Sequence, residues 1–572
     1  MGNEPFFLSM KQLRWQILVV LVTLGIVAVL LFSQQSPSGT GPILSQPEQG
    51  GVYTEGLVGS LGRLNPLLDW NNTADRSVDR LLFSGLIKFD EHGLPQKDLA
   101  DWGVAKDGTV YNFSIRPDAV WQDGTPVTSD DVIFTVDMMK SAGSLYPQDI
   151  KDLWSKIEVT KLNDKNLKLT LPEPFVPFMD YLTFGVLPKH LLESVPPEQM
   201  ETAEFNINPV GSGPYKFDHL LVENGQIVGV VLTVSPTYYG TASFIEQVVF
   251  RYYETSADAL DAYRQGDVLG VSQITTDVLS GALEEPNLSL YTSRMPQMSF
   301  VLLNLNNAEL SFFQNVKVRR ALMLGINRPY LINSFLQGQA IIADGPILPN
   351  SWAYYDGTEH FEYDPEAAVN LLKGEGYVIP AAGGAVREKE GTALHFTMIH
   401  PDDATHTQIA QTIQDEWKGI GVQVDLQAVP YDSLVRDSLA SRAYQAALVD
   451  LNLSRTPDPD PYPFWHQAEV TGGQNYSQWD NRAASEYLEQ ARVTADYALR
   501  AKLYRNFQVV FAKELPALPL FVPVYSYGVD SQVQGVQIGA LYEPSDRLAT
   551  FTSWYLLTRR ALEQTEVPTS IP

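Results

Sequence analysis

Residues 78–140 combine a helical period with short apolar runs that are separated by turn-forming residues. The runs Leu86–Phe89 and Val110–Ile115 have the length of strands, and Gly, Pro and Asp residues separate them. A second helix follows, because Thr128 or Ser129 can cap it and acidic residues occupy its first turn. The pattern predicts a small α+β unit in this part of the chain.

Strand-like and helix-like patterns alternate in the C-terminal half of the chain. Leu394–Ile399 and Val422–Val429 have the pattern of strands, and His406–Lys418 between them has the period of a helix. This order is typical of a βαβ unit and predicts an α/β lobe. Glu486–Leu515 is predicted to form one long amphipathic helix, and Leu518–Val524 a buried strand.

The first apolar run of the chain, Trp15–Phe32, contains no charged residue and follows Lys11 and Arg14. A membrane helix needs about 20 apolar residues, with a lower limit of about 17, so this run is long enough to span. The basic flank places everything after it outside the cytoplasm. A cleaved signal peptide is the competing interpretation, but the run exceeds the usual apolar core and no small-x-small site ends it. We therefore expect an N-terminal transmembrane helix at residues 15–33.

Composition limits the classes of partner and of chemistry. The 572 residues, 44% hydrophobic and 11% aromatic, are enough for two or more domains with large cores. With 67 acidic against 40 basic residues, the net charge of −27 argues against a nucleic-acid partner. The absence of cysteine removes disulfides, thiol nucleophiles and thiolate metal sites.

Motifs for catalysis or metal binding are weak in this sequence. It contains no Gly-x-Ser-x-Gly elbow and no metalloprotease histidine pair. His400 and His406 flank Asp402 and Asp403, but solvated loop residues are the simpler interpretation because nothing in the sequence fixes their geometry. We predict neither an enzyme nor a cofactor or metal site.

Gly85-Leu86-Ile87 with Phe89-Asp90, and Asp123-Gly124-Thr125-Pro126-Val127 with Asp130-Asp131-Val132, are part of a long ordered set of motifs. This set resembles the family 5 extracellular solute-binding proteins, the receptors of peptide and nickel ABC importers. The resemblance extends from Val52 to about Tyr555. It implies an α/β, two-lobed periplasmic-binding-protein-like fold, of type II in its large three-domain variant. The residues that carry it are Gly85-Leu86-Ile87, Phe89-Asp90, Leu99-Ala100-Asp101-Trp102, Phe113–Arg116, Asp123-Gly124-Thr125-Pro126-Val127, Asp130-Asp131-Val132 and Val210-Gly211-Ser212-Gly213-Pro214-Tyr215.

The resemblance also implies a division into domains. Two crossing segments, near Tyr291–Ser299 and Pro516–Val524, would join the lobes, and the ligand would lie between them. The expected divisions are a cytoplasmic N-terminus (1–14), the anchor (15–33), a flexible tether (34–51), lobe 1 (52–295) with an inserted subdomain (about 75–195), lobe 2 (296–516), the return to lobe 1 (517–555) and a tail (556–572).

Residues 451–467, here called the proline-rich loop, are the strongest candidate for ligand contact, because four prolines deny the segment regular ladder hydrogen bonds. Relatives carry an Asp-Pro element here, matched by Asp458-Pro459, and peptide receptors have an upstream Asp that neutralises the peptide amino terminus. Counting back from Pro457 or Pro459 puts Leu453 or Arg455 near that place, and Asp450 is the nearest acidic alternative on the N-terminal side. Arg455 would favour an anionic group of the ligand or form a surface ion pair with Asp458 or Asp460. The candidate ligand-binding residues are Asn65, Tyr146, Asn304, Asn306, Asp450, Arg455, Asp458, Tyr462, Trp465, Tyr525 and Tyr527.

The expected function is that of a membrane-anchored, extracytoplasmic and monomeric receptor. It would capture an oligopeptide or similar polar solute and deliver it to the transmembrane permease subunits of an ABC importer. Two alternatives remain open at this point. One is an oligosaccharide or metal-chelate receptor of the same fold, and the other is a surface hydrolase or ligand sensor.

Overall fold

The computed structural model describes residues 43–141, 146–349 and 351–562. The predicted anchor of residues 15–33 lies outside these ranges. Across the three described ranges, no helix is both long and apolar enough to cross a bilayer. The chain divides into two compact units, one formed by its two ends and the other by residues 49–556.

The unit formed by the chain ends contains a two-stranded antiparallel ribbon. Ile43–Glu48 pairs with Leu557–Leu562. Residues 43–48 of the expected flexible tether (34–51) are therefore a strand, and so is part of the expected tail. Composition missed this ribbon because each strand is short and pairs with a partner at the far end of the sequence.

A large mixed sheet runs through the unit of residues 49–556. It contains both parallel and antiparallel pairs of strands, as expected of a mixed α/β fold. In order across the sheet its strands are Gln423–Val429, His395–Pro401, Ala446–Asn452, Gln297–Leu303, Ala517–Asp530, Gly270–Val271, Val52–Val58, Gln247–Tyr253, Gln226–Val234 and Tyr215–Glu223, and Leu288–Arg294 and Ala340–Ile342 also pair with Ala517–Asp530.

The strand Ala517–Asp530, here called the crossing strand, connects two separate cores. Its first half pairs with Gln297–Leu303 and its second half with Leu288–Arg294. The buried apolar residues belong to different clusters on the two sides of this change. We call residues 49–296 and 523–556 the first body, and residues 297–522 the second body.

The first body carries a smaller four-stranded sheet and several short helices. The predicted helix after Thr128 is confirmed as Ser129–Lys140, and the carboxylate of Asp131 accepts the Thr128 backbone N–H at 2.7 Å. The smaller sheet has the order Ala100–Val104, Val110–Ile115, Asn166–Thr170 and Glu158–Asn163, and Ile87–Phe89 pairs with Pro95–Lys97. The other helical segments are Thr73–Leu82, Gln148–Ser155, Val176–Leu182, Lys189–Leu192, Pro197–Thr202, Glu204–Ile207, Ser256–Gln265, Thr276–Leu283, Pro544–Leu548 and Phe551–Ser553.

The second body contains the predicted βαβ unit. His395–Pro401 and Gln423–Val429 are parallel neighbours, and Ala404–Gly419 connects them. A small hairpin pairs Glu388–Lys389 with Thr392–Ala393. The other helical segments are Ala308–Gln314, Val316–Leu324, Arg328–Phe335, Pro365–Gly374, Tyr431–Ser433, Leu434–Leu439, Tyr462–Trp465, Gln467–Val470, Arg482–Val493 and Tyr497–Glu514.

The predicted helix Glu486–Leu515 is in fact two helices. The first is Arg482–Val493 and the second is Tyr497–Glu514. Asp496 begins the second helix, because its side chain accepts the N–H of Leu499 at 2.8 Å. An apolar period that continues across such a cap does not reveal the break.

Candidate ligand-binding site

A cavity of about 700 Å³ lies where the two bodies meet. Most of its lining belongs to the first body, and Ser454–Pro457 of the proline-rich loop supplies the part that comes from the second body. The volume falls within the range of about 300–1,000 Å³ that is typical of small-molecule sites. The wall carries both aromatic rings and charged groups, so the cavity can hold a solute with both apolar and polar parts. The aromatic residues are Trp70, Phe83, Phe89, Tyr146, Trp154, Tyr181, Phe184, Tyr238 and Tyr542.

The helix Thr73–Leu82 places charged side chains beside the cavity. Asn72 caps this helix by accepting the N–H groups of Ala74 and Asp75. Arg76 and Arg80 lie one turn apart and both line the cavity. The local sequence thus presents two guanidinium groups along one side of the cavity.

Both arginines are paired with carboxylates from the segment just after the crossing strand. Arg76 lies 3.2 Å from Glu543, and Arg80 lies 2.9 Å from Asp546. Burial alone would raise the pKa of Glu543, but the guanidinium groups of Arg455 and Arg76 hold that pKa below its usual range. Glu543 is therefore ionised and shared between two arginines.

Arg455 reaches from the proline-rich loop of the second body to the first body. Its guanidinium lies 3.7 Å from the ring centre of Trp70 and 3.3 Å from the carboxylate of Glu543. Its backbone N–H donates to the carbonyl of Tyr542 at 2.8 Å, and its φ of +61° turns the chain sharply at this point. Asp69 lies 3.9 Å from the same guanidinium. Arg455 is therefore a direct bridge between the bodies at the cavity wall.

Asp69 is a buried carboxyl group of the cavity wall whose pKa is strongly raised. Burial raises its pKa to about 7, although Arg455 and Arg76 act in the opposite direction. A carboxyl group with such a pKa exchanges its proton near neutral pH. The charge that a ligand meets at this end of the cavity consequently depends on pH.

Asp180 and the proline-rich loop meet at another part of the cavity. The backbone N–H of Asp458 donates to the two carboxylate oxygens of Asp180 at 3.3 and 3.2 Å. The Asp458 side chain faces Arg500, with 2.6 Å between the charged atoms, and Asp460 lies 2.7 Å from Arg492. Burial, followed by the charge of Asp458, raises the pKa of Asp180 well above its usual range.

Of the predicted site residues, Tyr146 and Arg455 line the cavity. Tyr146 packs against Trp70, with 5.3 Å between the ring centres. Asn65 lies nearby in the first body, but it is fully buried and donates to Asn206 at 3.0 Å. The expected ion pair of Arg455 with Asp458 or Asp460 is not formed, since its partners come from the first body.

Asp458 does not line the cavity, but its backbone N–H contacts Asp180 on the cavity wall. The remaining predicted residues have contacts away from the cavity wall. Asn304 donates to the carbonyl of Tyr444, Asn306 donates to Gln478, and Asp450 accepts from Gln297 and lies 3.1 Å from His406. Tyr462 stacks on His466 and Arg492, and Trp465 packs between Phe300 and Phe511. Tyr525 donates to the carbonyl of Ser272, and Tyr527 donates to Glu55.

Several cavity residues were not singled out from the sequence, among them Asp69, Trp70, Asp180 and Glu543. One signal was available for their neighbourhood. Acidic residues alternate with apolar ones on the buried face of the helix Thr73–Leu82, which a purely structural helix would not need. Within residues 43–141, 146–349 and 351–562, no three histidine or acidic side chains are grouped as metal ligands would be.

The mixed sheet, the two cores and the cavity between them define a class, the periplasmic-binding-protein-like α/β proteins. The oligopeptide-binding protein AppA of Bacillus subtilis is 26% identical over 556 residues, which covers 94% of this chain and 98% of that protein. Its structure with a nonapeptide has a TM-score of 0.66 and 24% identity, and covers 90% of this chain and 100% of that one. NikZ of Campylobacter jejuni, solved with Ni(L-His), has a TM-score of 0.66 and 25% identity, and covers 88% of this chain and 99% of that one.

The sequence model of the bacterial extracellular solute-binding proteins, family 5, matches residues 95–474 through its middle region. The chain belongs to this family. By homology it is a substrate-binding protein of the kind that serves ABC importers, and the resemblance inferred from the sequence is confirmed.

Proposed function

We propose that this protein captures a short peptide in the cavity between its two bodies and delivers it to the permease of an ABC importer. The observation that carries the proposal is the cavity of about 700 Å³, whose wall includes residues 454–457 of the second body as well as residues of the first. Because both bodies contact the same ligand, binding stabilises their closed arrangement, and the permease recognises that arrangement.

A short peptide fits the chemistry of the wall. Apolar side chains can pack against rings such as Trp70 and Tyr146, while charged groups supply partners for the peptide backbone and termini. Relatives with peptide-binding names include the AppA protein described above and the dipeptide-binding protein of Escherichia coli, which is 24% identical over 527 residues. These names support the substrate class, and the volume favours a peptide of few residues.

Arg455 distinguishes this site from the site that the family resemblance implies. Where the resemblance implies an acidic residue facing the peptide amino terminus, this chain presents a guanidinium at the cavity wall. A guanidinium binds carboxylates well and repels ammonium groups. We therefore place the anionic part of the ligand near Arg455.

The remaining features of the proposal concern the setting of the receptor. The body would lie outside the cytoplasm as a monomer, held by the predicted membrane anchor of residues 15–33, and would act without catalysis or a cofactor. The two bodies would be the two lobes, with crossings near residues 291–299 and 516–524. The change of core at the crossing strand supports this division.

The test is the identity of the bound solute. The full chain is purified and examined by native mass spectrometry, then titrated with tripeptide mixtures, oligosaccharides and nickel with histidine. A retained peptide, and a melting temperature and scattering radius that respond to the tripeptides, would support the proposal. A response to oligosaccharide or nickel–histidine alone would reject the peptide assignment, and no response to any probe would reject the proposal.

A further inference from the structure

Asp180 is a buried carboxylate on the cavity wall without a cation of its own. It lies in the helical segment Val176–Leu182 and is only 8% exposed. It accepts the backbone N–H of Asp458. Over the described part of the chain, no lysine, arginine or histidine side chain lies within ion-pair distance of its oxygens. The charge of Asp180 is thus met only by a neutral donor and by more distant groups.

Around Asp180 there is one more carboxyl group than there are guanidinium groups. Arg500 contacts Asp458, and Arg492 contacts Asp460, so each of these arginines already has a carboxylate partner. Asp180 is a third carboxylate beside two arginines. Buried charges in proteins are normally paired, because an unpaired one loses its hydration without compensation. A proton or a cation must therefore accompany Asp180.

Near Arg455, by contrast, the carboxyl groups have cationic partners. There Glu543 contacts the guanidinium groups of Arg76 and Arg455, and Asp69 lies 3.9 Å from Arg455, so each of these two carboxyl groups has a cationic neighbour. An ammonium group placed at Arg455 would meet a like charge, whereas at Asp180 it would meet an uncompensated carboxylate. The two positions give the cavity a polarity that a ligand with both charges can match.

We propose that Asp180 receives the cationic group of the ligand, a primary amine such as the amino terminus of a short peptide. The inference rests on the proposed function, because it assigns a role within the same cavity. An ammonium group has three donors and no acceptor, so it can bond the carboxylate directly and form charge-assisted hydrogen bonds. It takes the place of the proton that the buried carboxyl group would otherwise hold.

The experiment compares free and blocked amino groups in wild type and in Asp180→Asn. Asparagine keeps a carbonyl oxygen for the Asp458 N–H and removes only the charge, so the variant is expected to fold. The probes are an equimolar tripeptide mixture and the same mixture N-acetylated, with the full chain in native mass spectrometry. Calorimetry then gives the affinity of the tightest free tripeptide and of its acetylated form. Asp267→Asn, an exposed carboxylate outside the cavity, is the charge-matched control.

Wild type and Asp267→Asn should prefer the free tripeptide, and Asp180→Asn should lose affinity for it on the order of 10- to 100-fold. Affinity for the acetylated tripeptide should change little in the variant. If wild type binds both forms equally, or if Asp180→Asn keeps the preference, the role of Asp180 is rejected while peptide capture stands. If wild type retains no tripeptide of either kind, both the role and the proposed function are rejected.

Discussion

Replacing Arg455 by alanine would remove the side chain that bridges the two bodies. In the structure this guanidinium covers Trp70 at 3.7 Å and approaches Glu543 at 3.3 Å. Both partners belong to the first body, whereas Arg455 belongs to the second. The substitution should therefore weaken the contact between the bodies and leave the core of each intact.

The size of the effect follows from the environment of each contact. A cation–π contact contributes about 0.5–2 kcal/mol, and more when it is shielded from water. Arg455 is 23% and Glu543 16% exposed, so the ion pair is partly buried and should contribute about 1 kcal/mol. Glu543 keeps Arg76 at 3.2 Å, so its charge is not stranded. Together the loss should be about 2 kcal/mol, or roughly a 30-fold shift toward the open arrangement.

The distance between the two bodies can be measured with spin labels, because the chain contains no cysteine that would also be labelled. Spin labels on Lys106→Cys in the first body and Lys373→Cys in the second would have no background, and both positions are exposed. Pulsed electron resonance then reports the distance distribution between the bodies, with and without a tripeptide mixture. We expect Arg455→Ala to populate longer distances than wild type, and to need more peptide to reach the short one.

The control is Arg436→Ala, an exposed arginine of the second body that pairs only with its neighbour Asp437 in the described structure. It should leave the distance distribution unchanged. Identical distributions for Arg455→Ala, Arg436→Ala and wild type would refute the bridging role of Arg455. A change in melting temperature without a change in distance would show that Arg455 acts only within one body.

Three further predictions concern stability. The folded-state pKa of Asp69, about 7, lies above its pKa in the unfolded chain, so ionisation of Asp69 lowers the free energy of unfolding as pH rises from about 4 to 7. Asp69→Asn should remove up to about 4 kcal/mol of this pH-dependent loss of stability, measured by urea unfolding at a series of pH values. If the free energy of unfolding changed equally with pH in variant and wild type, Asp69 would not be the group responsible. Glu55→Gln should cost about 3–5 kcal/mol in urea unfolding, because its arginine partner is 1% exposed and would be left unpaired, and a cost below about 1 kcal/mol would contradict this. Gly211→Ala should lower the melting temperature, since an added Cβ would lie 1.8 Å from the carbonyl oxygen of Leu82, whereas Gly103→Ala meets no atom within 4 Å and should change it little; equal melting temperatures would contradict the clash.

Local signals in the sequence were sufficient for elements whose ends are fixed by neighbouring residues. The helix Ser129–Lys140 was predictable because Thr128 and Asp131 form its cap within four positions. The break between the helices Arg482–Val493 and Tyr497–Glu514 was missed, although Asp496 caps the second one. The apolar period continues across that break, so periodicity outweighed the capping signal.

The site was predictable only in part, because its contacts join distant segments. Arg455 was identified through its departure from the family pattern, but its partners Asp69 and Glu543 come from opposite ends of the folded chain. No local pattern connects these positions. Tyr525 and Tyr527 were among the candidate ligand-binding residues, and the structure buries both among hydrogen-bond partners of the core. Burial of a ring depends on the packing of the whole sheet, which sequence spacing does not determine.

If the ligand is a short peptide, Arg455 and Asp180 would each bind one of its two charged ends. A receptor that presents Arg455 where relatives present an acid must hold the peptide amine elsewhere, or else lose the attraction that an ammonium group provides. Asp180 is the buried cavity carboxylate beside which the described arginines are already paired. It follows that the peptide should lie with its amino group toward residues 176–182 and its carboxylate toward Arg455. Amidating the carboxylate should then weaken binding to wild type but not to Arg455→Ala, while acetylating the amine should weaken both.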